Sequence, residues 1–235
     1  MTVSEQIGYK PQIGGGIYTV PDAACILNLP LPKVKRWVSG YSRLAESGGR
    51  VHLGGIVDDG VWGAGREQGL NFHALIEVFT FSVLRDLGVS SQAIRSAREE
   101  LIERFQTPYP FASHRLLSDG RQIHVVLDRL DSLMALDEQG QTELRKIVEP
   151  FCHKIDFCDA TSLAERYWPL GRDRAVVVDP HHGFGRPCIA NTNIATETLA
   201  NMVRAGETAA IIAAEFEIRE TDVLAAVEFE SKKAA

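Results

Sequence analysis

The sequence predicts a mainly α fold with short β-hairpins, and three stretches carry that expectation. "TVPDAACILNLPLPKVKRWV" holds two short helical patterns around a proline-bounded turn. "NFHALIEVFTFSVLRDLGVSSQAIRSAREELIERF" holds two longer ones, and three more follow from Thr196 to the C-terminus. Glycine-rich and β-prone pieces lie between them. Together these predict an N-terminal winged helix-turn-helix and a C-terminal tri-helical unit that also resembles a helix-turn-helix. The expected division is a flexible arm at 1–17, the winged unit at 18–112, a hairpin and connecting helix at 113–153, and a C-terminal domain at 154–235.

Each element has a local reason. Pro21 suits a helix N-terminus, with Ala24 and Leu27 facing inward, and Asn28 to Leu31 makes the turn. The second helix starts at Pro32 and buries Val34, Trp37 and Val38. Ser39 to Gly69 is glycine-rich with short apolar pieces, the pattern of a wing. Apolar residues at 72, 75, 76, 79 and 83 form a helical stripe ended by Gly88. Ser90 or Ser91 caps the next helix, which carries Ile94, Ala97, Leu101 and Phe105 inward. Asp119-Gly120 centres a hairpin over 113–128, and a helix follows at about 138–150. "HKIDFCDATSLAERYWPLGRDRAVVVDP" reads as two strands around a loop. Beyond it Arg186 to Ile194 reads as an extended arm, and Thr196, Thr208 and Thr221 as N-caps of the last three helices.

With 235 residues, 45% apolar and 24% charged, the chain has the composition of a globular protein and ample length for a core. No apolar run approaches the roughly 20 residues of a membrane span, so no membrane partner is expected and the cytoplasm is the expected compartment. The net charge of -6 excludes a uniformly basic coat, but its distribution is uneven. Between Pro30 and Ile56 five cations face only Glu46, whereas from Pro187 onward eight acids face four bases. This asymmetry places a basic contact surface near one end.

That surface is the candidate DNA site. Lys33, Lys35 and Arg36 lie on the first turns of the second helix, opposite its apolar face. Tyr41 and Arg43 follow its end, and Arg50 and His52 fall in the wing. Early cations on a recognition helix, with more in the wing, are what phosphate and base-edge contact require. The last helix, "TDVLAAVEFE", leads with an acid and would repel phosphate, so the C-terminal unit reads as scaffold, dimer element or partner surface.

Other chemistries find little support. Cys152, His153, Cys158, His181, His182 and Cys188 lack CxxC or HxxxH spacing, so no metal is expected, and adjacent His181 and His182 would point apart in an extended strand. Cys25 completes a set of four cysteines without a disulfide framework. "GFGR" lacks the third glycine of a dinucleotide loop and the lysine of a P-loop, and no GxSxG is present. Neither a cofactor nor enzyme activity is expected. Arg186 and Asn193 remain as candidate phosphate or partner contacts.

Two resemblances bear on function. "YTVPDAACILNLPLPKVKRWV" with its wing-like sequel and "LGVSSQAIRSA" resembles the MerR-type winged helix-turn-helix, although no long dimerising coiled coil follows. "VVVDPHHGFGRPCIANTNIATETLANMVRAGETAAIIAAEFEIRETDVLAAVEFE" is similar to the domain-of-unknown-function 433 family. The pattern is kept at Gly185, Arg186, Pro187, Ile189, Ile194, Ala205, Gly206, Glu207, Asp222 and Val223, while Asn191 and Asn193 stand where that family has Gly and Arg.

The combination is similar to the longer antitoxins of VapBC-like type II toxin-antitoxin systems. That resemblance implies a homodimer that binds operator DNA, represses its own operon and neutralises a PIN-like ribonuclease toxin encoded nearby. The residues leave two alternatives: a stand-alone MerR-like transcription regulator whose C-terminal domain binds a ligand or partner, and a small metallo-hydrolase using His181 and His182.

Overall fold

The computed structural model describes residues 14–44, 49–86, 88–113 and 153–232, apart from the side chains at 42–44 and 50–53. Residues 1–13 of the arm expected at 1–17, the hairpin beyond Ser113 and the helix at about 138–150 lie outside the described residues.

The described chain is a mixture of helix and antiparallel sheet, which corrects the expectation of a mainly α protein. Strand β1 (Tyr18–Thr19) runs into helices α1 (Val20–Leu27) and α2 (Leu31–Ser39), which are followed by the hairpin β2 (Tyr41–Leu44) and β3 (Arg50–Leu53). Strands β4 (Val61–Trp62) and β5 (Gly69–Leu70) precede the long helices α3 (Phe72–Asp86) and α4 (Ser91–Phe105). The C-terminal part comprises β6 (Ile155–Phe157), β7 (Ala164–Tyr167), β8 (Val176–Val178) and β9 (Pro187–Ile189), then α5 (Thr196–Arg204), α6 (Ala209–Glu215) and α7 (Glu220–Lys232).

Three antiparallel sheets result, β1-β5-β4, β2-β3 and β6-β7-β8-β9. Where the sequence suggests two strands around a loop and then an extended arm, four strands pair in sequence order. They are three or four residues long, too short to display an alternating pattern, and β8 is buried at all three positions. The expected arm is itself β9 followed by a turn in which Asn191 takes a left-handed φ of 62°.

The N-terminal helix pair forms as its sequence directs. Thr19 caps α1 in a reciprocal box with Asp22, and Pro21 sits in the first turn. Asn28 adopts the left-handed conformation that closes the helix, and α2 starts one residue before Pro32. Val34, Trp37 and Val38 are buried, and the Trp37 ring meets Phe81 of α3 edge-on at 5.0 Å. Gly55 supports the base of the hairpin, because a Cβ there would fall 2.4 Å from the Val38 carbonyl.

Helix α3 is the hub. It is buried almost all round, so the one-sided stripe understates it: Phe79 and Val83 are only half-buried, whereas Glu77, Thr80 and Ser82 are buried. Glu77 accepts from Arg98 Nε of α4 at 2.6 Å and from the backbone N–H groups of Phe111 and Ala112 at 2.5 and 3.2 Å. Arg98 also donates to the Pro108 carbonyl. Burial pushes the Glu77 carboxyl up to about 7, against the pull of these donors. Toward the C-terminal sheet, Phe79 packs on Tyr167 at 5.0 Å and His73 Nε2 lies 3.1 Å from the Ala164 carbonyl.

Ser90 caps α4 and Thr208 caps α6, as the sequence suggests. The other two threonines differ. Ala195 occupies the N-cap of α5, and Thr196 Oγ1 donates to buried Glu230 at 2.5 Å; α7 begins at Glu220, before Thr221. Helices α5 to α7 share a small core of Leu199, Ile212 and Val223, while Ala225 and Phe229 of α7 join the main core.

Two stability outcomes follow. Arg98→Met strands the Glu77 carboxylate in the core and should cost about 3–5 kcal/mol in urea melts; adding Glu77→Gln, which removes the charge but keeps a carbonyl acceptor, should recover part of that loss. Tyr18 is 2% exposed, and its hydroxyl has no hydrogen-bond partner among the described residues. Tyr18→Phe should therefore leave the melting temperature unchanged or raise it, and a marked fall would reveal a contact made by that hydroxyl.

Candidate functional site

The expected DNA-contact residues divide between α2 and the hairpin after it. Lys33, Lys35 and Arg36 are exposed on the face of α2 opposite Val34, Trp37 and Val38, and none has a carboxylate partner among the described residues. The Arg36 guanidinium stacks over the Tyr41 ring at 5.3 Å, which orients the cation at the helix end. Arg43 and Arg50 belong to adjacent pairs of the β2–β3 register, Arg43 opposite Val51 and Arg50 opposite Leu44, and His52 is in register with Ser42. Two features hold the hairpin to the helices: Ile56 N–H donates to the Trp37 carbonyl at 2.6 Å, and Arg95 of α4 donates to the carbonyls of Gly54 and Gly55.

A second feature surrounds the "HHGFGR" turn between β8 and β9. Asp179, 7% exposed, accepts the His181 N–H at 2.8 Å and holds His182 Nδ1 at 2.9 Å and His181 Nδ1 at 3.5 Å. The two imidazoles thus converge on one carboxylate instead of pointing apart as on an extended strand, because the chain turns at 179–182, where the His182 N–H donates to the Asp179 carbonyl at 3.1 Å. Among the described residues no group of three or more His, Cys, Asp or Glu side chains is placed to hold a metal. Cys188 is buried, with its thiol toward the Val177 carbonyl and its pKa raised to about 11 by burial. Cys152 lies outside the described residues.

Within the same turn Phe184 takes φ 60° and ψ 25°, between Gly183 and Gly185, both also at positive φ. Its side chain is 71% exposed. Gly185 is required where it stands, since a Cβ would lie 2.1 Å from the Tyr18 hydroxyl. The turn therefore packs directly on the segment that leads into α1.

Beside Phe184 opens a cleft of about 430 Å³. Ile17, Tyr18, Asp22 and Ile26 line one side, and Arg186, Pro187, Thr196, Glu197 and Glu230 the other. Arg186 and Glu197 are exposed and have no ion pair among the described residues, whereas Asp22 is held by Thr19 and Glu230 by Thr196. Asn193 is exposed on the turn after β9 and does not line the cleft, so the structure does not join it with Arg186. No sequence pattern announces the cleft, because its walls come from segments far apart in the chain.

The C-terminal helices present a third surface. Ile211 of α6 and Leu224 of α7 are 55% and 51% exposed. Glu207, Glu215, Glu217 and Glu220 are exposed on the same three-helix unit, without ion pairs among the described residues.

Among the described residues no helix is long and apolar enough to cross a membrane. Residues 176–229 match the family model described as "Protein of unknown function (DUF433)". Over 213 residues the chain is 26% identical to the "Putative antitoxin VapB45" of Mycobacterium tuberculosis (strain ATCC 25618 / H37Rv), an alignment that spans 85% of this chain and 87% of that one. The crystal structure of Rv2018 from Mycobacterium tuberculosis has the same fold, with a TM-score of 0.67 and 22% identity over 94% of this chain and all of that one. The chain thus resembles an antitoxin over most of its length and carries a DUF433-like segment from β8 into α7.

Proposed function

We propose that the protein is a DNA-binding antitoxin of a type II toxin-antitoxin system, a homodimer that represses its own operon and neutralises a PIN-like ribonuclease toxin by direct binding. The observation that carries this reading is the resemblance to the VapB45 protein across most of both chains, not only across the DUF433-like segment. It favours a regulatory, non-catalytic protein.

DNA contact falls to α2 and the hairpin in this reading, in the manner of a MerR-like module. Lys33, Lys35 and Arg36, free of carboxylate partners among the described residues, supply phosphate contacts, and the Arg36–Tyr41 stack holds one of them in place. In a dimer two copies of α2 reach half-sites about one helical turn apart. The toxin falls to the C-terminal helices, where Ile211 and Leu224 offer apolar contact and the exposed acids complement a basic nuclease surface.

Charge reversal at Lys35 and Arg36 should weaken binding to the promoter of the protein's own gene at least about tenfold in gel shifts. It should also flatten the dependence on salt by roughly one unit of slope for each phosphate that is no longer neutralised. An unchanged isotherm would remove α2 from the DNA interface.

For the toxin, the full chain co-expressed with the neighbouring gene product should hold it through affinity purification, and Ile211→Asp with Leu224→Asp should release it. Binding of DNA without capture of that product would instead favour a stand-alone regulator.

A further inference from the structure

We infer that the homodimer closes through the "HHGFGR" turn, with Phe184 of each copy seated in the cleft of the other. The inference deepens the dimer of the reading above and rests on that dimer, not on the identity of operator or toxin.

Phe184 is the starting point. A non-glycine residue in left-handed backbone carries a cost of roughly 1–2 kcal/mol, and such strain persists where the surrounding structure imposes it. Here the surrounding structure does so for a side chain that the single chain leaves 71% exposed. Gly183 and Gly185 leave no side chain on either flank, so the ring stands clear as a knob. A phenylalanine held this way gains burial only against another surface.

The complementary surface is on the same chain. The cleft adjoins the knob through Gly185, and its volume of about 430 Å³ lies in the range that takes ligand-sized groups. Ile17, Ile26 and Pro187 supply apolar wall for an aromatic ring. Charge allows this seating: Arg186 lies where the knob meets the cleft and is the one cation of its wall, which also carries the acids Asp22, Glu197 and Glu230. Asp22 and Glu230 already have partners within the chain, so exposed Glu197 is the acid that faces the other copy's Arg186.

A knob and a cleft side by side form a self-complementary patch. The operation that seats one knob seats the other, as a two-fold interface requires. A second copy is also the occupant whose matching surface is visible, because it is this one. A single-stranded nucleic acid fits less well, since base stacking on Phe184 would come with Arg186 as the only formally charged cation in the turn.

The test is sedimentation equilibrium of the full chain with thermal melts of each variant. Phe184→Gly removes the ring and relieves the left-handed strain, so the melt at concentrations where both proteins are monomeric should hold or rise while the dimer weakens about thirtyfold, the effect of losing a buried aromatic anchor. Arg186→Glu and Glu197→Arg should each weaken self-association, and mixing the two variants should restore a one-to-one heterodimer in native mass spectrometry. That pairing brings opposite charges together across the interface and cannot arise within one chain. A wild-type dimer whose affinity is unchanged in Phe184→Gly, with no preference for the mixed pair, overturns this interface and leaves the dimer standing. A wild-type chain that stays monomeric on its own and on operator DNA overturns the dimer itself. Oligonucleotide binding abolished in Phe184→Gly without any change in self-association assigns the knob to nucleic acid and also overturns the interface.

Discussion

The fold depends on one buried carboxylate. Glu77 sits near the middle of α3 with no exposure, in a place where an ionised side chain without partners would cost several kcal/mol. Its partners come from two other parts of the chain: the guanidinium of Arg98 on α4 and the N–H groups of Phe111 and Ala112. The charge is tolerated only when all three segments are in place. Hydrophobic contact would hold α3 and α4 together in several registers, but the Glu77 network is satisfied in one. With α3 so fixed, its remaining faces place Trp37 of the helix pair and Tyr167 of the C-terminal sheet against the same helix. The basic face of α2 and the C-terminal sheet are thereby referred to one frame.

What is legible in the sequence follows from how local each signal is. The inward faces of α1 and α2, and the caps at Ser90 and Thr208, rest on neighbours three or four residues away and can be read directly. Glu77 cannot, because its partners are 21 and 34 or more residues distant. It reads locally as an ordinary surface acid. The strands escape for the opposite reason: two to four residues carry no period, so only pairing across the sheet defines them. Thr196 shows a third kind of miss. Its hydroxyl bonds Glu230 across the C-terminal unit in place of its own helix, so a residue of capping type performs a tertiary task.

The candidate surfaces divide in the same way. Clustered cations on a short helix with an apolar opposite face are a pattern in sequence, and Lys33, Lys35 and Arg36 stand where that pattern puts them. The cleft unites residues 17–26 with 185–230 and has no such pattern. The histidine pair is misjudged from sequence because adjacent side chains diverge only on an extended backbone. The hydrogen-bonded turn at 179–182, closed by the His182 N–H on the Asp179 carbonyl, folds the chain so that both rings reach Asp179. No propensity points to the left-handed Phe184, since phenylalanine disfavours that conformation; only the two flanking glycines hint at an unusual backbone.

The way arginines are paired separates structure from recognition. Arg98, Arg166, Arg172, Arg174 and Arg219 are each joined to a carboxylate, tying α4 to α3, strand β7 and the following loop to Asp156, the loop before β8 to α7, and the start of α7 to itself. These cations are neutralised within the fold and offer little attraction to an outside anion. Lys33, Lys35, Arg36 and Arg186 have no such partners among the described residues. In a chain of net charge -6, three such cations, Lys33, Lys35 and Arg36, lie together on α2, so attraction for phosphate or for an acidic partner is stronger there than at the isolated exposed arginines Arg66, Arg104, Arg186 and Arg204. At physiological salt, interactions between exposed charges are largely screened beyond about 8 Å, so a local cluster of cations acts on a ligand in contact with it even though the whole molecule is acidic.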